Sequence, residues 1–143
     1  VAGRLRRFYP PLVVLVFVDT EENPKPNEWF GYFSAWYPGE ASGIIITPDV
    51  PEKDRAEIMA AIASAGSVIA ALFVKPRGYA GAVGLSEDQE AIVKQALEKQ
   101  IVVLNFGNPY LLRDAEPNVR IDTFSASSAS LAASIEALAR TVK

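Results

Sequence analysis

Near-continuous runs of branched apolar residues recur along the chain, each about as long as one β-strand. Four of them stand out, at residues 12–18, 43–47, 67–74 and 101–106. Their apolar residues follow one another instead of alternating with polar ones, which is typical of strands buried on both faces. The pattern predicts a parallel sheet that is covered by helices on two sides, with its functional loops at the carboxyl ends of the strands.

Segments with helical spacing separate these runs, and a weaker fifth strand is predicted at Val119–Phe124, where charged and apolar residues alternate. The order of elements is β-α-β-α-β-α-β-turn-β-α. It predicts a three-layer α/β/α sandwich with a doubly wound, mostly parallel, flavodoxin-like sheet of five strands. The expected helix N-caps are Asn27, Asp49, Ser86 in a capping box with Gln89, and a residue of the stretch 125–128.

The length of 143 residues fits one α/β domain, with residues 1–11 as an entry segment. The chain has no cysteine and no histidine, which excludes disulfides, thiolate metal sites, the Ser-His-Asp triad and most zinc sites. The net charge of −3 makes nucleic acid and anionic membranes unexpected partners. We also expect no cofactor, no metal site, no membrane span and no signal peptide.

Three glycines follow the third strand, at Gly78, Gly81 and Gly84. Their backbone amides could approach a phosphate, with Lys75 or Arg77 supplying positive charge. The spacing is neither GxGxxG nor a P-loop. A surface loop that packs on a partner is therefore the favoured interpretation, and an anion site is the alternative.

Acidic residues lie near the ends of the first two strands, at Asp19, Glu21, Glu22 and Glu40. Two carboxylates about 5–10 Å apart can cleave a glycosidic bond, but acidic side chains often only keep loops solvated. A phosphoryl-receiver interpretation fails, because the third strand ends in Val74-Lys75 where an aspartate would be needed.

Six aromatic residues crowd the first predicted helix, and we expect some of them to be exposed or covered by another protein surface. They are Trp29, Phe30, Tyr32, Phe33, Trp36 and Tyr37. Core packing combined with an interdomain contact is favoured over a platform for stacking sugars. After the fourth strand, Asn105 and Asn108 could bind a hydroxyl-rich ligand or a neighbouring loop.

The stretch 84–89 (Gly-Leu-Ser-Glu-Asp-Gln), followed by 101–110 (Ile-Val-Val-Leu-Asn-Phe-Gly-Asn-Pro-Tyr), resembles the second domain of glycoside hydrolase family 3. The Phe-Gly-Asn-Pro-Tyr version is similar to the β-N-acetylglucosaminidase branch. The resemblance covers roughly Pro11 to the end of the chain. It implies a domain that packs on a separate (β/α)8 barrel and flanks the carbohydrate substrate. It also favours a periplasmic or extracellular location.

In that family the barrel carries the nucleophilic aspartate, and in this branch also a His-Asp acid/base pair. Neither can be carried over to a chain without a barrel or a histidine, and no glutamate aligns with the acid/base of the β-glucosidase branch. The resemblance therefore implies an accessory domain that is inactive alone. The residues expected to flank substrate or barrel are Lys75, Arg77, Gly78, Gly81, Asn105, Gly107, Asn108 and Tyr110.

Two other hypotheses remain open. One is a free-standing flavodoxin-like module that binds a nucleotide or another anion at the loop Lys75–Gly84. The other is a folded, monomeric domain without any ligand. The sequence does not decide which sugar is involved or whether a barrel lies on the same polypeptide.

Overall fold

The computed structural model describes residues 11–19, 23–37, 41–74, 85–106, 119–123 and 125–141. Within these ranges the chain forms five strands and four helices. The strands are β1 (Leu12–Val18), β2 (Ala41–Ile46), β3 (Ser67–Phe73), β4 (Gln100–Asn105) and β5 (Val119–Asp122). The helices are α1 (Lys25–Trp36), α2 (Glu52–Ser64), α3 (Glu87–Ala96) and α4 (Ser128–Thr141).

The five strands form one sheet in the order β2-β1-β3-β4-β5, and every pairing between them is parallel. Helices α1 and α4 pack on one face of the sheet, while α2 and α3 pack on the other. The predicted three-layer α/β sandwich is confirmed. Because the chain leaves β1 towards one edge and leaves β3 towards the other, a topological switch point lies between these two strands.

Every side chain of β1 and β3 is buried, which explains why their sequences are apolar without alternation. The edge strand β2 differs, since several of its side chains reach solvent. At the opposite edge, β5 is shorter than predicted and ends at Asp122 instead of Phe124. The central strands therefore have the most continuous apolar sequences, and the edge strands have less continuous ones.

The aromatic residues of α1 form much of the core on one face of the sheet. Trp29, Phe33 and Tyr37 are buried, and the Trp29 ring stacks on Phe33 at a centroid distance of 5.2 Å. The other three aromatics are half-buried and pack against the same core. None of the six aromatics lies mainly in solvent, and the favoured core packing accounts for the buried three. The half-buried three keep some exposed surface, so the expected interdomain contact stays a prediction.

Local sequence signals predicted the N-caps of α3 and α4 correctly, but not those of α1 and α2. The capping box at α3 is confirmed, since Ser86 Oγ accepts from the Gln89 amide and Gln89 Oε1 accepts from the Ser86 amide, both at 3.1 Å. Ser127 caps α4 by accepting from the amide of Ser130. The predicted caps Asn27 and Asp49 are wrong, because Pro24 precedes α1 and Pro51 precedes α2, neither with a side-chain cap. Proline favours the first turn of a helix, and Pro26 occupies that turn in α1, so the helix starts before Asn27.

Among the helices in the described ranges, none is both long enough and apolar enough to span a bilayer.

Candidate functional site

The carboxyl edge of the sheet is the candidate site, because parallel α/β sheets bind ligands and partners there. Of the eight residues predicted to flank a substrate or a barrel, only Asn105 lies within the described ranges. The other seven lie outside them, as do Gly84, Glu21, Glu22 and Glu40. The structural account of this edge therefore rests on the ends of the strands and on the helices that begin beside them.

Asn105 is the last residue of β4, and it is 1% exposed. Its carbonyl oxygen accepts a hydrogen bond of 3.0 Å from the amide of Thr123, which continues the pairing of β4 with β5. Burial of the side chain favours contact with neighbouring chain segments over contact with a dissolved sugar. Asn105 is thus placed at the predicted edge, and its role towards a partner remains a prediction.

Gln89 occupies the β1–β2 part of this edge. Its side-chain amide nitrogen donates to the carbonyl of Val18 at 2.9 Å and to that of Ile46 at 3.0 Å, at the ends of β1 and β2. The side chain is buried, and its oxygen simultaneously completes the capping box of α3. One glutamine therefore satisfies two strand ends and one helix start, and its own side chain fills this part of the edge.

Sequence analysis identified Gln89 only as a cap and missed this bridging role. A signal for it was present, since Gln89 shares helical spacing with the buried residues Ile92, Val93 and Ala96. A polar residue in line with a buried stripe indicates a buried hydrogen bond, because buried polar groups are almost always paired.

Three further contacts attach the start of α3 to the loop between β2 and α2 and to α2 itself. Ser86 Oγ donates to the carbonyl of Pro48 at 2.6 Å, and Asp88 accepts from the amide of Val50 at 2.9 Å. Arg55 lies 3.5 Å from the Asp88 carboxylate. Together with Gln89, these bonds hold the β1–β2 half of the edge in one arrangement.

An open pocket of about 240 Å³ lies at the β3–β4 half of the edge. Its floor is formed by Phe73 and Phe106, whose rings stack with centroids 4.6 Å apart. Its rim comes from the starts of α1 and α4, and includes Asn23, Lys25 and Ser127. Each floor ring is 3% exposed, so neither offers a free face on which a sugar could stack.

Glu28 joins the two helices beside this pocket. A hydrogen bond from Ser128, at the start of α4, is the largest cause that lowers the pKa of the Glu28 carboxyl. Partial burial opposes this effect, while the nearby Lys25 charge and the Tyr32 hydroxyl support it. Burial raises the pKa of Tyr32, and the Glu28 carboxylate adds to this effect. The hydrogen bond from Ser128 on α4 thus favours the charged form of Glu28 on α1.

Ser128→Ala is expected to raise the pKa of Glu28 towards its ordinary value. Because the folded pKa of Glu28 is depressed, its contribution to stability is present at neutral pH and is lost as pH falls through the folded pKa. NMR titration of the Glu28 side-chain carbon in wild type and variant measures the effect. Ser125→Ala, at another exposed serine before α4, is the matched control. An unchanged Glu28 pKa in Ser128→Ala would contradict the assignment.

No group of three or more acidic side chains within the described ranges is arranged to hold a metal ion. Asp19 is the one residue of the predicted acidic set that the structure describes, and it lies directly after β1. The paired-carboxylate hypothesis for Asp19, Glu21, Glu22 and Glu40 therefore stays a prediction, since three of these residues lie outside the described ranges.

Comparisons with known proteins give one informative result. No family model and no curated protein matches the sequence. A solved structure titled "Beta-glucoside phosphorylase BglX" matches 92% of this chain with a TM-score of 0.57 and 18% sequence identity. The match covers 24% of that chain, so this chain spans about a quarter of that enzyme's length. The likeness shows a shared fold, which in that enzyme is one part of a longer chain.

Proposed function

We propose that this chain is an accessory domain of a family 3-type glycoside hydrolase that acts on β-linked N-acetylglucosamine or glucose. In this role it packs on a catalytic (β/α)8 barrel, flanks the substrate cleft and performs no chemistry alone. The observation that carries the proposal is the structural match, in which nearly the whole chain corresponds to a quarter of a beta-glucoside phosphorylase. The resemblance of residues 84–89 and 101–110 to the family's second domain points the same way.

The chemistry of the chain supports a positional role. Without histidine or cysteine, it lacks the usual general base near neutral pH and the strongest nucleophile. Holding a sugar in place and excluding water accelerates a reaction without any reacting group on the domain itself. A domain that lines one side of another domain's active site can position substrate and exclude water in this way.

The two halves of the carboxyl edge suggest where a barrel would pack. The β1–β2 half is filled by Gln89, whereas the β3–β4 half opens into the pocket above Phe73 and Phe106. The loops after β3 and β4, which hold the other predicted site residues, leave the sheet from this open half. We therefore place the barrel against the β3–β4 half, with the pocket receiving one of its side chains.

Three observations test the proposal. The purified chain is expected to show no turnover of p-nitrophenyl β-glucoside or N-acetyl-β-glucosaminide, with or without phosphate. The genomic frame upstream of Val1, or an adjacent gene, is expected to encode a barrel of about 250 residues. In the complete enzyme, Ser127→Arg at the pocket rim should lower kcat/KM about tenfold or more through misplacement of the domain, whereas Ser127→Ala, which loses the same helix cap without adding bulk, should not. Robust turnover by the isolated chain, or the absence of any barrel, would refute the proposal.

The control for the rim variant is Ala63→Arg, which adds the same side chain on the exposed side of α2. Helix α2 lies on the face of the sheet opposite to α1 and α4, so kcat/KM should stay unchanged. Equal losses in both variants would indicate a general effect of the added charge and not a barrel contact.

The second candidate function is a free-standing module that binds a nucleotide or another anion at Lys75–Gly84. Its support is topological, because the strand order places the loop after β3 at the switch point, where flavodoxin-like sheets bind their ligands. A thermal-shift screen separates the candidates. Strong stabilisation by a nucleotide, lost in Lys75→Ala and Arg77→Ala, would favour the module.

A further inference from the structure

The outer side of β2 is an open sheet edge as far as the described residues show. Within the described residues, β2 pairs with β1 and with no other strand. Its sequence, Ala-Ser-Gly-Ile-Ile-Ile, contains no charge and no proline. Ser42, Gly43 and Ile45 are exposed, and Ile45 at 47% is the large apolar side chain that solvent reaches. Natural edge strands usually carry charge, proline, a bulge or a cover that blocks pairing with another strand.

The opposite edge of the sheet is different. There β5 carries Arg120 and Asp122, which form an ion pair of 3.0 Å and bring two charges to the edge strand. Such charges oppose the addition of a further strand. Each chain then has one sheet edge that can pair with another strand and one edge whose charges oppose pairing. Pairing through the open edge joins two copies and leaves no open edge for a third, so it gives a closed two-fold dimer and not a filament.

We propose that β2 pairs antiparallel with β2 of a second copy of this chain, across a two-fold axis perpendicular to the sheet. The two five-stranded sheets then form one continuous sheet. In the register that sets Ile44 opposite itself, Ile45 of each copy lies opposite Gly43 of the other. Directly opposed residues bring their side chains within about 5 Å of each other.

The surface beside Gly43 fits that register. A Cβ atom added at Gly43 would lie 2.4 Å from Cζ of Phe30, so the half-buried Phe30 ring covers the glycine. The space above Gly43 is thus taken by the Phe30 ring, and the isoleucine of the second copy lies beside that ring. The exposed Ile45 of each copy packs against the exposed side of Phe30 in the other, so the contact is reciprocal, as a two-fold axis requires.

Charge also permits this contact. The most exposed residues of α1 are Asn27, Gly31, Ser34 and Ala35, none of them charged, and the partly exposed charges of Lys25 and Glu28 pair with each other at 3.5 Å. Helix α1 carries Phe30, so its neighbouring surface approaches the second copy without burying an unpaired charge. A second copy is thus the occupant that supplies both the matching strand and the matching isoleucine.

Analytical ultracentrifugation over a wide concentration range tests the proposal. We expect the wild-type chain to sediment as a dimer of twice 15.5 kDa, and Ile45→Lys to raise the dissociation constant about tenfold or more. Ala133→Lys, on the exposed side of α4, is the matched control and should leave the dimer intact. A wild-type monomer at every concentration, or a fully dimeric Ile45→Lys, would overturn the proposal.

The register is tested separately by cysteine scanning, since the chain has no cysteine of its own. Ile44→Cys should form an intermolecular disulfide under mild oxidation, because only the residue on the axis meets its own copy at disulfide distance. Ser42→Cys, two residues away on the same face, should cross-link far more slowly. Faster cross-linking at position 42 would overturn the register. The β2 edge is separate from the carboxyl edge, so this dimer and the proposed function stand or fall independently.

Discussion

Replacing Gln89 by leucine is expected to lower the free energy of unfolding by about 3 kcal/mol or more. Leucine has a similar size but leaves the carbonyls of Val18 and Ile46 without their donor and the amide of Ser86 without its acceptor. Each buried polar group that loses its partner costs about 1–3 kcal/mol. Urea unfolding followed by circular dichroism measures the loss.

Gln95→Leu on the same helix is the control. The Gln95 side chain makes only an exposed hydrogen bond of 3.3 Å to Glu98, so its loss should change stability by less than about 0.5 kcal/mol. If Gln89→Leu also changes the free energy of unfolding by less than about 0.5 kcal/mol, the ends of β1 and β2 do not depend on the side-chain amide of Gln89.

Gln89→Glu sharpens the test. The carboxylate still accepts from Ser86 but cannot donate to Val18 or Ile46, and it is buried. Burial and the facing carbonyls raise its folded pKa above the ordinary value of about 4.3. The folded state of the variant then binds more protons at this site than the unfolded state, so its stability relative to wild type should rise as pH falls from neutral. A relative stability that falls over this range would contradict the proposed contacts.

Trp29→Ala is expected to lower the free energy of unfolding by about 3–5 kcal/mol. The indole is fully buried, stacks on Phe33 and contacts Phe106 edge-on at a centroid distance of 6.3 Å. Its removal leaves a cavity between α1, α4 and the sheet, because such cores relax only partly. Chemical unfolding with near-UV circular dichroism measures the loss of stability and of aromatic packing.

Trp36→Ala is the matched control, because this tryptophan lies on the same helix but is half-buried and should cost less. The hydrogen bond of 3.1 Å from Trp29 Nε1 to Ser134 Oγ links α1 with α4. A double-mutant cycle of Trp29→Phe and Ser134→Ala should give a coupling of about 1 kcal/mol. Equal losses for Trp29→Ala and Trp36→Ala would show that burial of Trp29 is not what anchors α1.

Much of the fold was readable from the sequence, because its strongest signals are local. The apolar runs of β1 and β3 mark central strands, and the capping box at Ser86 needs only four consecutive residues. The predictions failed where a contact with a distant part of the chain competes with a local sequence preference. Asp49 is a good capping residue, but Pro51 starts α2 instead, and the neighbouring Val50 amide finds its acceptor in Asp88, 38 residues away.

The candidate site was less predictable than the fold. Gln89 is visible in the sequence as a cap, but its bonds to Val18 and Ile46 depend on β1 and β2 ending side by side beneath α3. The pocket above Phe73 and Phe106 is likewise created by two strands and two helices that are far apart in sequence. No local pattern encodes either feature.

The sequence by itself determined the layer architecture, because burial on one or two faces imposes a hydrophobic period on every strand and helix. It also determined that histidine and cysteine chemistry lies outside this chain. Only the tertiary structure decided which half of the carboxyl edge is filled. It also placed Phe30 over Gly43, beside an exposed Ile45. These outcomes depend on which segments meet in space, and contacts between distant segments leave no periodic trace in the sequence.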